Sequence, residues 1–259
     1  VMSRLLHGRG NVMDGLLLLF GLTFLAAGFV KGVTGMGLPT VAMGVLGTLI
    51  PPVAAAGLLI VPSFVTNVLQ FLSGPDPRQT ALRFWPMMLA ITVGTVAAMP
   101  LMVWADPRLA SELLGGALLG YAVFTLLVAP RTLPARAERA ASPAVGLVTG
   151  IITGATGVFV IPAVPYLQAL GLRKDELVQA LGLSFTVSTL AMAAGLAGQG
   201  AFETAGMLRS SLLVVPALAG MWLGQRFRDR ISQKAFRRGF LIVLAVLGVQ
   251  MVAKAMVSA

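Results

Sequence analysis

The feature that most limits how this chain can fold is a series of long, uncharged apolar runs. They include Gly15 to Val30, Val53 to Leu72, Phe84 to Trp104 and Leu241 to Ala253. A helix needs about 20 mostly apolar residues to cross the hydrocarbon core of a bilayer, and these runs have that size. Composition points the same way: 57% of residues are hydrophobic and 11% charged, with a mean hydropathy of +0.91. An average soluble domain carries about 25% charged residues. An all-α polytopic membrane protein, multi-pass in the cytoplasmic (inner or plasma) membrane and in contact with its lipid, is the expected class. Cysteine is absent, which excludes disulfides, thiolate metal sites and cysteine nucleophiles.

The formal net charge is +10, yet a nucleic-acid partner is not expected. The basic residues sit in short loops between apolar runs rather than along one soluble face. If every segment crosses, or the two short ones form hairpins with their preceding partners, Lys31, Arg78, Arg83, Arg131, Arg136, Arg139, Arg173, Lys174, Arg226, Arg228, Arg230, Lys234, Arg237 and Arg238 share one side. Arg4, Arg9, Arg108, Arg209 and Lys254 lie opposite. The richer side is assigned to the cytoplasm. Arg4 and Arg9 would prefer an inside N-terminus, which requires segment 38–50 to re-enter without crossing. The same two arginines, followed by Leu16 to Leu25 and Ala26-Ala27-Gly28, resemble a signal peptide. A retained span is preferred, because the run leads directly into a motif that recurs.

The polar stretch Arg131 to Ser142 divides the chain near its centre. It reads as a basic cytoplasmic linker (131–142) between a first membrane repeat (1–130) and a second (143–259). Gly28-Phe29-Val30-Lys31-Gly32 matches Gly146-Leu147-Val148-Thr149-Gly150. Thr34-Gly35 matches Thr153-Gly154 when one residue is inserted in the second copy. A short apolar piece follows each motif, Leu38 to Ile50 and Val158 to Leu170. Three long segments come next, near 53–72, 84–104 and 109–129 in one half and 176–197, 205–225 and 236–256 in the other. Two related repeats, inverted if each has an odd number of passes, are therefore expected. Each would contain a broken or re-entrant helix, the element from which transporters build central binding sites.

Glycines at such motifs serve close helix packing in many membrane proteins. Here threonines accompany them, and each motif opens a shorter segment. The N–H groups freed at a helix break form a natural anion site. The expected substrate-binding residues are Lys31, Gly32, Thr34, Gly35, Gly37, Thr149, Gly150, Thr153, Gly154, Thr156 and Gly157. Ser63, Asn67, Ser184, Ser188 and Gln168 are candidate pathway-lining residues.

GFVKGVTGMGLPTVAMGVL and GLVTGIITGATGVFVIPAVPYLQALGLRK resemble the paired signature segments of the sulfite exporter TauE/SafE family. That resemblance implies transport of sulfite, sulfonates or related sulfur oxyanions. Many members carry a fuller glycine run where Leu38-Pro39 and Val158-Phe159 stand here.

Lys31 follows sixteen uncharged residues from Gly15 to Val30. It either faces the pathway and pairs with an anion or snorkels to the headgroups. The nine acidic residues are Asp14, Asp76, Asp106, Glu112, Glu138, Asp175, Glu176, Glu203 and Asp229, all in expected loops or at segment ends. Cation pathways and proton relays use intramembrane carboxylates, so an anion is the better substrate. The single histidine, His7, lies in a polar N-terminal stretch and supports neither a metal site nor a catalytic triad. No enzyme activity and no cofactor are expected. A potential-driven exporter working by alternating access is the leading reading. An anion channel with a fixed pore and an importer of a related organic anion are the alternatives. Transporters of this size often pair, so a homodimer is one expected partner arrangement. The basic loop Arg226 to Arg238 reads as a topology anchor, with anionic-lipid contact as a secondary role.

Overall fold

A computed structural model of the protein describes residues 2–127, 132–201, 210–228 and 230–257. Arg131, Glu203, Arg209, Asp229 and the opening of the expected segment 205–225 lie outside the described residues. So do the side chains of Arg4, His7, Arg9 and Asp14.

The described residues form α1 (Met2–Thr34), α2 (Leu38–Leu46), α3 (Pro52–Leu72), α4 (Pro77–Val103), α5 (Pro107–Leu127) and α6 (Ala135–Thr156). They continue as α7 (Ala163–Ala169), α8 (Lys174–Gly198), α9 (Val214–Phe227) and α10 (Gln233–Val257). Six of these helices are long and apolar enough to cross a membrane. Polarity runs inside out relative to a soluble domain. Leu18, Leu82, Trp85, Trp104, Leu127, Val215 and Trp222 are exposed, while Lys31, Ser63, Thr66, Asn67 and Gln70 are buried. A lipid-facing exterior explains such a surface.

The largest differences from the expected boundaries are at two helix starts. Residues Ala135 to Ser142, expected in the linker loop, form the opening turns of α6. Alanine, arginine and glutamate are good helix formers, and their polarity disguised the helix. α4 likewise starts at Pro77 rather than near 84, with the Asp76 side chain accepting from Gln79 N at 2.9 Å as its N-cap.

Packing between the halves is reciprocal. α1 lies along α9, and α6 lies along α4. A side chain at Gly28 or Gly32 would overlap the carbonyls of Ala217 or Met221; one at Gly220 or Gly224 would overlap those of Leu25 or Phe29. Gly146, Gly150 and Gly154 meet the carbonyls of Met87, Ile91 and Thr95 in the same way. The order of these contacts makes each of the two pairs parallel. By contrast α3 crosses α8, and α5 crosses α10, antiparallel. Gly115 meets Gly248 and Val252, while Gly248 meets Gly115 and Leu119. Small residues at four-residue spacing let the backbones approach this closely.

α1 ends in a tight reversal. Gly35 and Gly37 have φ of 77° and 103°, a left-handed backbone that side chains resist. α2 then runs back beside α10. Gly37 lies against Phe240, Gly44 against Leu244 and Leu247, and Gly47 against Met251. The two ends of α2 therefore sit near opposite ends of α10, and the segment does not return to the face where it began.

Candidate functional site

Lys31 is 2% exposed and belongs to the last turns of α1. Its Nζ donates to Thr66 Oγ1 at 3.3 Å and to Asn67 Oδ1, both on α3. Asn67 Nδ2 passes the chain on to Thr189 Oγ1 of α8 at 3.3 Å. The acceptors around the ammonium are a hydroxyl and an amide, and among the described residues it forms no ion pair with a carboxylate. The ion pairs there are Arg83–Glu138, Arg108–Glu112 and Arg173–Glu176. No Asp or Glu is among the described residues that are buried. A buried cation held only by neutral oxygens is poorly compensated and attracts an anion.

The walls around it are polar. Ser63, Thr66, Asn67 and Gln70 form one buried stripe of α3, spaced at helical intervals. α8 packs on α3 and turns Gln179 and Thr189 toward that stripe, while its buried Ser184 and Ser188 lie on the side of Gly195, which meets Met99 of α4. Among the described residues, the hydroxyls of Ser63, Ser184 and Ser188 have no hydrogen-bond partner. Leaving a buried polar group unsatisfied costs about 1–3 kcal/mol, so these three favour a polar visitor. Gln70 closes the upper end: its Nε2 donates to Gly35 O at 2.9 Å and Val178 O at 2.8 Å. A cavity of about 120 Å³ reaches Lys31 from the surface. Lys31, Gly32, Gly35 and Gln70 line its inner part, and the exposed Ser73, Asp175 and Gln225 line its mouth.

The structure thus gathers Lys31, Gly32, Gly35 and Asn67 of the expected residues. Ser63 stands on the same buried stripe of α3 as Asn67, whereas Ser184 and Ser188 lie on the side of α8 that meets α4. The others are used differently. Thr34 Oγ1 donates to Val30 O and Met36 O and accepts from Met36 N. Thr156 Oγ1 donates to Ile152 O and accepts from Val158 N. Thr149 and Thr153 donate to the carbonyls of Val145 and Thr149. These hydroxyls satisfy backbone groups at the joints instead of reaching into the cavity. Gly150 and Gly154 face the α4 backbone, Gly157 lies against Met43, and Gly37 against Val30 and Phe240. The first residues of α2 line none of the cavities described. Gln168 lines two cavities beside Tyr121 and Arg237.

The joints also correct the internal alignment. Gly35 N donates to Lys31 O and Gly157 N to Thr153 O, each at 2.7 Å. Both glycines are left-handed, with φ of 77° and 72°. Thr34-Gly35 therefore corresponds to Thr156-Gly157 with no insertion, Gly28 to Gly150, and Lys31 to Thr153. Thr66 and Gln70 were missed in the sequence. Their signal was the helical spacing of polar residues inside apolar runs.

The model of the family described as sulfite exporter TauE/SafE matches residues 19–251. No curated protein and no solved structure matches the chain.

Proposed function

The chain belongs to the sulfite exporter TauE/SafE family and is thus a multi-pass membrane transporter of sulfur anions, not an enzyme; from that premise we propose that it exports sulfite or a small organosulfonate from the cytoplasm, with Lys31 as the charge that holds the anion. The observation that carries this reading is a buried ammonium with no carboxylate partner among the described residues. The anion sits beside the first helix break, against Lys31, the amide of Asn67 and the hydroxyl of Ser63 on α3. The second repeat has Thr153 where Lys31 stands, so the site carries its charge on one side.

The halves are related by inversion. Supporting this, the counterpart helices α3 and α8, and α5 and α10, pack antiparallel, and the two Thr-Gly joints bond alike. Transport proceeds by alternating access, with the 120 Å³ cavity as its cytoplasmic opening and a shift between the halves exposing Lys31 to the other side. An anion leaving a negative-inside cell gains about 2.3 kcal/mol per charge per 100 mV, which drives export without a coupled ion.

The test is [³⁵S]sulfite flux in proteoliposomes at fixed potential. Expected are saturation, acceleration by unlabelled sulfite on the trans side, and loss of both in Lys31→Ala that still purifies as a monodisperse protein. Non-saturating flux without trans-acceleration would indicate a fixed pore, and unchanged flux in Lys31→Ala would remove Lys31 from the site.

A further inference from the structure

Orienting a chain in a membrane asks only that its positive charges lie on one side. The basic segment from Arg226 to Arg238 is more selectively placed than that. Arg226, Arg230 and Arg238 are exposed, whereas Arg228 and Arg237 are half-buried. Those two line a second cavity, of about 240 Å³, together with Lys174, Lys234 and Tyr121. This cavity adjoins the one at Lys31, since Val178 and Arg228 line both. Thr34 and Met36, at the reversal after α1, line it as well. Among the described residues its lining includes no Asp or Glu, whereas the Lys31 cavity has Asp175 at its mouth.

Cations brought together within low-dielectric walls repel one another and concentrate anions. Arginine also offers a planar fork that fits an oxyanion through two bonds. Resting on the reading of Lys31 above, we propose that the cavity walled by Lys174, Lys234, Arg237 and Tyr121 is a second anion station, which captures a small oxyanion before it moves to Lys31. The outer chamber has about twice the volume of the inner one (240 against 120 Å³), so it accepts an anion with part of its water. The inner one then selects. Two adjacent stations also ease onward movement, because a second arriving anion repels the first.

Equilibrium binding of [³⁵S]sulfite to the purified, detergent-solubilised full chain tests this. Wild type is expected to bind two anions. Lys31→Ala should keep one, weakened by added salt. The Lys234→Gln/Arg237→Gln double variant should also keep one, and Lys234→Arg/Arg237→Lys, which preserves the charges, should bind two. In flux, the neutralised double variant should raise apparent KM about five-fold or more with little change in maximal rate, whereas Lys31→Ala loses the rate. One site in wild type, lost in Lys31→Ala and intact in the double variant, overturns the second station and leaves the Lys31 reading standing. One site lost only in the double variant does the reverse. No binding to wild type overturns both.

Discussion

Lys31 and Thr153 hold the same place in the two joints: the carbonyl oxygen of each accepts a 2.7 Å hydrogen bond from the N–H of a left-handed glycine, Gly35 or Gly157. One copy carries a buried cation there and the other a hydroxyl bonded to its own backbone. The joint is built twice, and the charge is placed once.

Replacing that charge should separate transport from stability. Lys31→Met keeps an unbranched chain but removes the ammonium. A hydrogen bond to a charged group contributes about 1.5–3 kcal/mol, so sulfite flux should fall at least ~10-fold. Thermal unfolding in detergent should occur at an unchanged or higher temperature, since a poorly compensated buried charge is lost. A large drop in melting temperature would instead make Lys31 a structural residue.

Asn67→Leu should be destabilising by about 1–3 kcal/mol, because it leaves the ammonium short of an acceptor. Adding Lys31→Met should recover most of that loss. A double-mutant cycle on thermal stability measures the coupling, and strict additivity would mean that the Lys31–Asn67 contact carries no energy.

The left-handed glycines Gly35 and Gly157 should respond unequally to alanine. At Gly35 the nearest neighbour of a new Cβ is Val178 Cγ2 at 3.4 Å, so backbone strain of about 1–2 kcal/mol dominates. At Gly157 the same strain is joined by overlap with the Met43 side chain. Melting temperatures should rank wild type above Gly35→Ala, and Gly35→Ala above Gly157→Ala.

Packing glycines and open glycines should likewise diverge. Gly32→Ala and Gly154→Ala each drive a methyl into a backbone carbonyl of the neighbouring helix, and should cost about 1–3 kcal/mol through displaced helices. Gly57→Ala and Gly116→Ala meet nothing within 4 Å among the described residues, and should be neutral or stabilising by up to about 1 kcal/mol. Unfolding monitored by circular dichroism distinguishes the two pairs.

The long helices were legible because apolar length is a strong signal, and Lys31 because a charge stands out within it. The register of the repeat was not. Gly146, Gly150 and Gly154 recur every four residues, so sliding the comparison by one turn preserves the glycine matches. The registers are distinguished by the left-handed Gly35 and Gly157 and by the bonds that Met36 N and Val158 N donate to the hydroxyls of Thr34 and Thr156. The threonines were read as anion donors because sequence shows the hydroxyl but not the carbonyl four residues back that takes it. Arg228 and Arg237 were hidden for another reason: the positive-inside rule accounts for any arginine in a loop, including one that turns inward.

The reciprocal packing of α1 on α9 and α6 on α4 has a consequence for how the molecule is made. When α1 leaves the ribosome, the surface that its glycines are shaped for lies nearly two hundred residues downstream. Neither half can finish its own interior, so the early helices must wait in the lipid as loosely associated rods. Maturation is then a late interlocking event, and the two halves, even if synthesised as separate polypeptides, would each be the template on which the other completes its assembly.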